Sequence, residues 1–258
     1  MLDSSSARAG ARLREIRRQR RLSQLELAHR TGVSQRHLSC IETGRAHASR
    51  AMLLALLDAM DAPLEERNSA LLAAGYAPQY PARSLADQDM MPVREALSHL
   101  LSTHEPAPAM VVDSAWNVVQ VNDGVRRLAG LLDIQLGTST GPFNLLRATF
   151  APGGLSTQYV NRDEVCAELW LRAQREALHV PQLRGIMDEL KPQVANIDWQ
   201  RRAPTPLLIA RLRSKHGELR FFSSFTTFGC PLDITVESLR VEHLFPTDAR
   251  TRELLVAG

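Results

Sequence analysis

The stretch Leu22-Ser23-Gln24-Leu25-Glu26-Leu27-Ala28-His29-Arg30-Thr31-Gly32-Val33-Ser34-Gln35-Arg36-His37-Leu38-Ser39-Cys40-Ile41-Glu42-Thr43-Gly44 reads as two short helices joined by a tight turn. Ser23 is placed to cap the first helix, and its spacing to Glu26 makes a capping box. Leu27 and Thr31 share a face at helical spacing, and the small Ala28 lets a second helix cross close by. Gly32 supplies the left-handed residue that ends the helix. Val33 returns to the core, Ser34 caps the second helix, and Leu38 and Ile41 form its buried side. Gln35, Arg36, Ser39, Cys40 and Thr43 remain on the outer side. This is a helix-turn-helix whose second helix presents hydrogen-bonding groups, the pattern used to read double-stranded DNA. The alternative is an ordinary helical hairpin with a solvated face, but so many constraints in one register favour the DNA-binding reading.

Charge supports this reading. The chain has 258 residues, 44% of them hydrophobic, and a net charge of only +3. Residues 1–50 nevertheless carry 11 Arg, no Lys and 4 acids, a balance of +7 that leaves −4 on the remainder. A basic head on a mildly acidic body suits phosphate contact by the head alone. Cys40, Cys166 and Cys230 are odd in number and show no C-x-x-C spacing, so they read as reduced thiols. Met1-Leu2-Asp3-Ser4-Ser5-Ser6 lacks the apolar core of a signal peptide, and no stretch approaches the length of a membrane span. The expectation is a soluble, cytoplasmic protein with no membrane partner.

Outward from the motif, residues 1–6 read as a frayed end and Ala7 to Arg21 as an Arg-rich first helix. Ser49 caps a fourth helix from Arg50 to Met60, and Pro63 begins a fifth that Gly75 stops near Ala74. Residues 1–76 therefore form an all-α domain. Residues 77–105 read as a linker and a connecting helix, Pro92 to Ser102. Residues 106–258 are mixed α and β. Ala109 to Asp113 and Asn117 to Val121 flank a hairpin turn, and Asn122 or Asp123 caps a helix through Leu132. Ile134 to Pro142 reads as a loop, Phe143 to Phe150 as one or two helical turns, Asn161 or Asp163 as the start of a helix to Leu178, and Pro181 as the start of another. Leu207 to Arg213 and Glu218 to Phe228 form a second hairpin around Lys215-His216-Gly217. Ile234 to Val241 reads as a strand with a bulge near Glu237-Ser238, and Thr247 caps a terminal helix. The fold class expected is α+β in two domains, with a five-stranded antiparallel sheet whose helices are inserted between strands two and three.

The helical stretch, with its ending Glu42-Thr43-Gly44-Arg45, resembles the helix-turn-helix of phage repressor and Cro proteins and of the larger Xre-type regulator family. The resemblance implies a five-helix repressor-like domain, a phosphate-steadying role for Gln24, a groove-facing position for Cys40, and an ion pair between Arg17 and Glu42. The sheet order resembles a PAS fold. Pro63 to Pro78, Val111 to Asn122, Asn144-Leu145-Leu146-Arg147 and Thr227 to Pro246 resemble the MmyB-like ligand-binding domain attached to one branch of Xre-type regulators. Val121-Asn122 departs from it, standing where a Trp-Asn pair is expected. The family implies a transcription regulator that binds a small hydrophobic molecule of the fatty acid kind.

The DNA-binding candidates are therefore Gln24, Ser34, Gln35, Arg36, Ser39, Cys40, Thr43 and Arg45. Gln35 can pair bidentately with adenine, Arg36 with guanine or a phosphate, and Arg45 lies in the loop leaving the second helix. The ligand candidates are Trp116, Asn122, Asn144 and Arg147, the last two converging at i,i+3 spacing on one anionic end. Phe143, Phe150, Trp170, Phe222 and Phe225 read as core. For the same polar side chains, a helix cap and a surface arginine are the competing reading. No nucleophile, P-loop or metal motif is present, so no enzyme activity, cofactor or metal is expected. The expected partners are a DNA operator, the hydrophobic ligand and a second copy of the chain. The alternatives are a C-terminal domain that only dimerises, and an enzyme fused to a DNA-binding head.

Overall fold

The computed structural model describes residues 4–134, 143–201 and 206–257. The chain divides into two compact units, Met1–Ser84 with Cys230–Glu237, and Leu85–Gly229 with Ser238–Gly258.

The first unit holds α1 (Ser4–Gln19), α2 (Gln24–Thr31), α3 (Gln35–Glu42), α4 (Arg50–Asp58) and α5 (Leu64–Ala73). The local signals act as expected. Ser23, Ser34 and Ser49 each accept a backbone N–H at the start of a helix, and Ser23 with Glu26 completes the capping box. Gly32 closes α2 at φ 69°, returning its N–H to the Ala28 carbonyl. Leu13 and Ile16 of α1, Leu27 of α2, Leu38 and Ile41 of α3, and Leu53, Leu56 and Leu57 of α4 meet in one core. At about 1.5–3 kcal/mol for each fully buried large side chain, this core outweighs the weak intrinsic helicity of eight-residue helices. A Cβ at Gly10 would overlap the Ile41 carbonyl, so α1 lies directly on the end of α3.

Two expectations change here. Residues 4–6 are helical rather than frayed, and Ser6 is buried with its hydroxyl 3.0 Å from His47 Nδ1. The stretch after α5 is also not free. The Asn68 side chain accepts from the backbone of Gln79 and Tyr80 and donates to the Tyr80 carbonyl, so residues up to 84 group with the helices. Beyond that point Leu85 packs with the second unit, and Arg94 holds the Asp87 carbonyl at 2.7 Å.

The second unit is built on a five-stranded antiparallel sheet of order β2-β1-β5-β4-β3. Its strands are β1 (Ala109–Val112), β2 (Val118–Val121), β3 (Ala210–Ser214), β4 (Gly217–Thr227) and β5 (Arg240–Pro246). Between β2 and β3 come α7 (Asp123–Leu131), α8 (Leu145–Phe150), α9 (Arg162–Glu176) and α10 (Pro181–Leu190). The connecting helix α6 (Met91–Thr103) covers one face of the sheet, where Leu97 and Leu101 pack on Ala109, Val111, Leu239 and Val241. Because strand side chains alternate, the neighbours Met110, Glu242 and Leu244 point to the other face, beneath the inserted helices.

Two further expectations are corrected, and a third falls outside the described residues. Ile234–Ser238 is a short helix, α11, because the Asp233 carboxylate accepts from Thr235 N–H and starts a turn before β5 can begin. Its segment groups with the first unit, where Glu237 accepts from the first N–H of α5, which Pro63 cannot cap. The terminal helix α12 (Ala249–Ala257) is capped by Asp248, which accepts from both Thr251 N–H and its hydroxyl, and not by Thr247. The loop expected over Ile134 to Pro142 lies outside the described residues from 135 onward. Among the described residues no helix is long and apolar enough to cross a membrane.

Candidate functional site

The outer row of α3 is presented by the packing beneath it. Leu38, Ile41 and Glu42 are buried, which leaves Gln35, Arg36 and Thr43 exposed and Ser39 and Cys40 half-buried. Ser34 spends its hydroxyl oxygen on the cap, accepting from His37 N–H at 3.2 Å. Thr43 Oγ1 donates to the Ser39 carbonyl at 2.7 Å and accepts from Arg45 Nε at 3.0 Å, which orients the exposed Arg45 guanidinium. Gln24 is tied inward: its Nε2 donates to Glu42 Oε2 at 2.8 Å.

That carboxylate also receives Arg17 Nε at 2.6 Å on Oε1 and Nη2 at 2.9 Å on Oε2, while Arg17 Nη1 donates to the Leu22 carbonyl at 2.6 Å. The pair implied by the resemblance is thus present, buried and bidentate. It locks α1 to the end of α3 and, through Gln24, to the start of α2.

The second site is an apolar cavity of about 290 Å³ between the sheet and the inserted helices. Met110, Val118, Val121, Leu212 and Leu244 form its floor; Val125, Leu128, Leu132, Leu145 and Leu169 form much of its roof. Phe143, expected in the core, is part of its wall. The polar groups on the wall are Thr149, Tyr159 and Glu242. Thr149 is satisfied by the Leu145 carbonyl at 2.8 Å. Burial pushes the Glu242 carboxyl above the usual carboxylate range, despite the attraction of Arg172 and Arg240, and burial likewise raises the Tyr159 phenol.

The four ligand candidates lie outside this wall. Trp116 sits in the left-handed region at φ 67° at the end of the β1–β2 turn. Its indole is buried against Leu146, Phe150 and Trp170, and Nε1 donates to Glu176 Oε2 at 2.6 Å. Asn122 caps α7, accepting from Val125 and Ala109 N–H and donating to the Ala107 and Leu101 carbonyls. Asn144 caps α8 and donates to the Ala115 carbonyl and Asn117 Oδ1. Arg147 is half exposed and pairs with Glu189 at 2.6 Å, so it does not converge with Asn144 on one anion. Buried amides on an apolar stretch serve the backbone here, as the competing reading had it. Sequence reasoning missed Tyr159 and Glu242. The available signal was an acid in the middle of an otherwise apolar strand, Arg240–Pro246.

Among the described residues no group of three or more His, Cys, Asp or Glu is placed to hold a metal ion. Comparison with known proteins matches residues 93–257 to the MmyB-like transcription regulator ligand binding domain and residues 8–70 to a helix-turn-helix domain. No curated protein matches the chain. Among solved structures it is similar to the clp gene regulator ClgR from C. glutamicum, with 30% identity over 28% of this chain and 88% of that one and a TM-score of 0.25. It is also similar to the restriction-modification controller protein C.AhdI from Aeromonas hydrophila, with 32% identity over 24% of this chain and 94% of that one and a TM-score of 0.23. The chain belongs to the MmyB-like transcription regulators: a helix-turn-helix DNA-binding domain followed by the family's ligand-binding domain.

Proposed function

We propose that this regulator binds a palindromic operator as a homodimer, with α3 of each copy in the major groove, and responds to a small hydrophobic ligand of the fatty-acyl kind. The observation that carries the first half is the exposed row Gln35, Arg36 and Thr43 on a buried, ion-paired scaffold. Gln35 and Arg36 read base edges, Ser39, Cys40 and Thr43 line the groove, and Ser34, Gln24 and Arg45 serve the phosphates. Gln35→Ala and Arg36→Ala relax sequence preference, at about 1–3 kcal/mol for each lost bidentate contact. Arg45→Ala weakens all sequences alike and flattens the salt slope. Binding selections with the three variants check the assignment: an unchanged preference in both Gln35→Ala and Arg36→Ala removes α3 as the reader.

The cavity supports the second half. At about 290 Å³ and almost wholly apolar, it has the character of a small-molecule site. Roughly ten methylenes at about 0.8 kcal/mol each supply about 8 kcal/mol before ordering costs, enough for micromolar binding with few polar contacts. Native mass spectrometry of freshly purified protein, followed by solvent extraction, tests this. A clean protein mass, with no thermal shift from any acyl-chain compound, leaves dimerisation as the role of the domain.

A further inference from the structure

One buried edge of the Arg240 guanidinium has no partner. Its Nη1 donates to Glu176 Oε2 at 2.9 Å, but Nε and Nη2 lie away from solvent and meet no acceptor among the described residues. Those two atoms form the side of the guanidinium that aims a pair of parallel N–H groups at one carboxylate. Elsewhere in the chain this edge is filled. Arg17 grips Glu42 with Nε and Nη2 at 2.6 and 2.9 Å, and Arg211 grips Glu218 with the same pair at 2.7 and 2.8 Å. A buried donor pair left empty bears the full cost of its lost hydration, so it calls for an acceptor from outside the chain.

The neighbours do not supply it. Glu176 already accepts from Arg240 Nη1, from Arg172 Nε at 2.9 Å and from Trp116 Nε1 at 2.6 Å. Arg172 and Arg240 thus share one carboxylate, and both guanidinium groups lie over the Trp116 ring, at 4.7 and 5.0 Å. Glu242 stands two residues along β5 on the same face, about 7 Å away at strand spacing, and makes no hydrogen bond to the free edge. The edge also adjoins the cavity. Glu242 lines the cavity, and so does Leu169 of α9, one turn before Arg172. Arg240 is not itself on the wall, so the head of an occupant reaches it past Glu242. An amine or an alkyl end gains nothing from two N–H donors, and a hydroxyl satisfies one. A carboxylate satisfies both and brings a negative charge to two guanidinium groups that share a single counter-ion.

Resting on the ligand reading above, we propose that Arg240 sets the head-group specificity of the cavity, Nε and Nη2 each donating to one oxygen of a carboxylate at the end of the bound alkyl chain. At about 30 Å³ for each methylene-sized group, the cavity holds on the order of ten of them, so ten-carbon probes are suitable.

The test is equilibrium binding of decanoate, decanol, decylamine and decane to the full chain at neutral pH, with Arg240→Lys, Arg240→Gln and Glu242→Gln alongside. Wild type binds decanoate at least tenfold tighter than decanol. Arg240→Lys keeps the charge but loses the planar edge, and cuts that ratio several-fold. Arg240→Gln brings the ratio close to one while decanol and decane stay within about threefold of wild type. Glu242→Gln binds decanoate as tightly as wild type or more tightly. Should both Arg240 variants fail to fold, the head-group series on wild type and on Glu242→Gln decides. Decanol or decane bound as tightly as decanoate overturns the proposal and leaves the ligand reading standing. A preference for decanoate that survives unchanged in Arg240→Gln overturns it by placing the head elsewhere. A tenfold loss of decanoate in Glu242→Gln, or a preference for decylamine, overturns it in favour of Glu242 as the receiving group. If none of the four probes binds, the ligand reading itself fails and takes the proposal with it.

Discussion

Replacing Glu42 with alanine is expected to destabilise the helical unit by about 3–5 kcal/mol, because it leaves a buried guanidinium without its counter-charge. Arg17 and Glu42 are 7% and 4% exposed, and three of the four hydrogen bonds around them end on the Glu42 carboxylate. Glu26 is the comparison. Its carboxylate accepts from Ser23 N–H in the exposed capping box, where water replaces a lost partner, so Glu26→Ala leaves the unit close to wild type. Amide hydrogen exchange of α1 to α5 in the full chain reads each variant without requiring both units to unfold together. Equal exchange rates in the two variants would remove the pair as a determinant of stability. The pH dependence has a definite sign. Burial alone would raise the Glu42 pKa, but hydrogen bonds from Arg17 and Gln24 and the charges of Arg17 and Arg14 bring it below the ordinary value. A depressed folded-state pKa means that the stabilisation is complete above the ordinary carboxylate range and is lost as pH falls through it. The difference between wild type and Glu42→Gln therefore shrinks on acidification.

The helical unit was legible because its determinants are local. A serine three residues before an N–H it can accept from, a glycine where the helix must stop, and apolar residues at helical spacing are all visible within about ten residues. The two hairpins were legible for the same reason: Asp113 turns the chain before Asn117, and Gly217 opens β4 at φ 109° just after the turn from β3. Reading failed where two local signals competed. Ile234, Val236, Leu239 and Val241 suggested a bulged strand, but Asp233 could start a helical turn, and the turn prevailed. The ligand site failed for a different reason. Its wall is drawn from β1, β2, β3, β5 and the three inserted helices α7, α8 and α9 or the segments beside them, so no spacing along the chain reveals it. Arg147 looked available because its partner, Glu189, stands 42 residues away. Trp116 read as a ligand contact in the hairpin turn, yet it stands at φ 67° with its indole buried in the core, where Glu176 meets it from α9.

Asn122 gives the sharpest contrast between a residue that contacts ligand and one that builds the wall. Its Oδ1 accepts from Ala109 N–H at 2.9 Å and Val125 N–H at 3.1 Å, and its Nδ2 donates to the Ala107 carbonyl at 2.8 Å and the Leu101 carbonyl at 3.3 Å. One amide thus joins the end of α6, the start of β1 and the start of α7, and it is 6% exposed. Asn122→Ala leaves those backbone groups unpaired away from water, at about 1–3 kcal/mol for each group that cannot be resolvated, and removes the cap of α7 at about 1 kcal/mol. The expected loss is about 3 kcal/mol of stability in the ligand-free protein. Asn122→Asp retains the acceptor for both N–H groups but cannot return donors to Ala107 and Leu101, so it falls between alanine and wild type. Hydrogen exchange of β1 and α7, with no ligand added, separates the two roles. A residue that only touched ligand would leave ligand-free exchange unchanged and alter affinity alone. Faster exchange in β1 and α7 before any ligand is added places Asn122 in the frame of the cavity, between Val121 and Val125, both of which enter its wall.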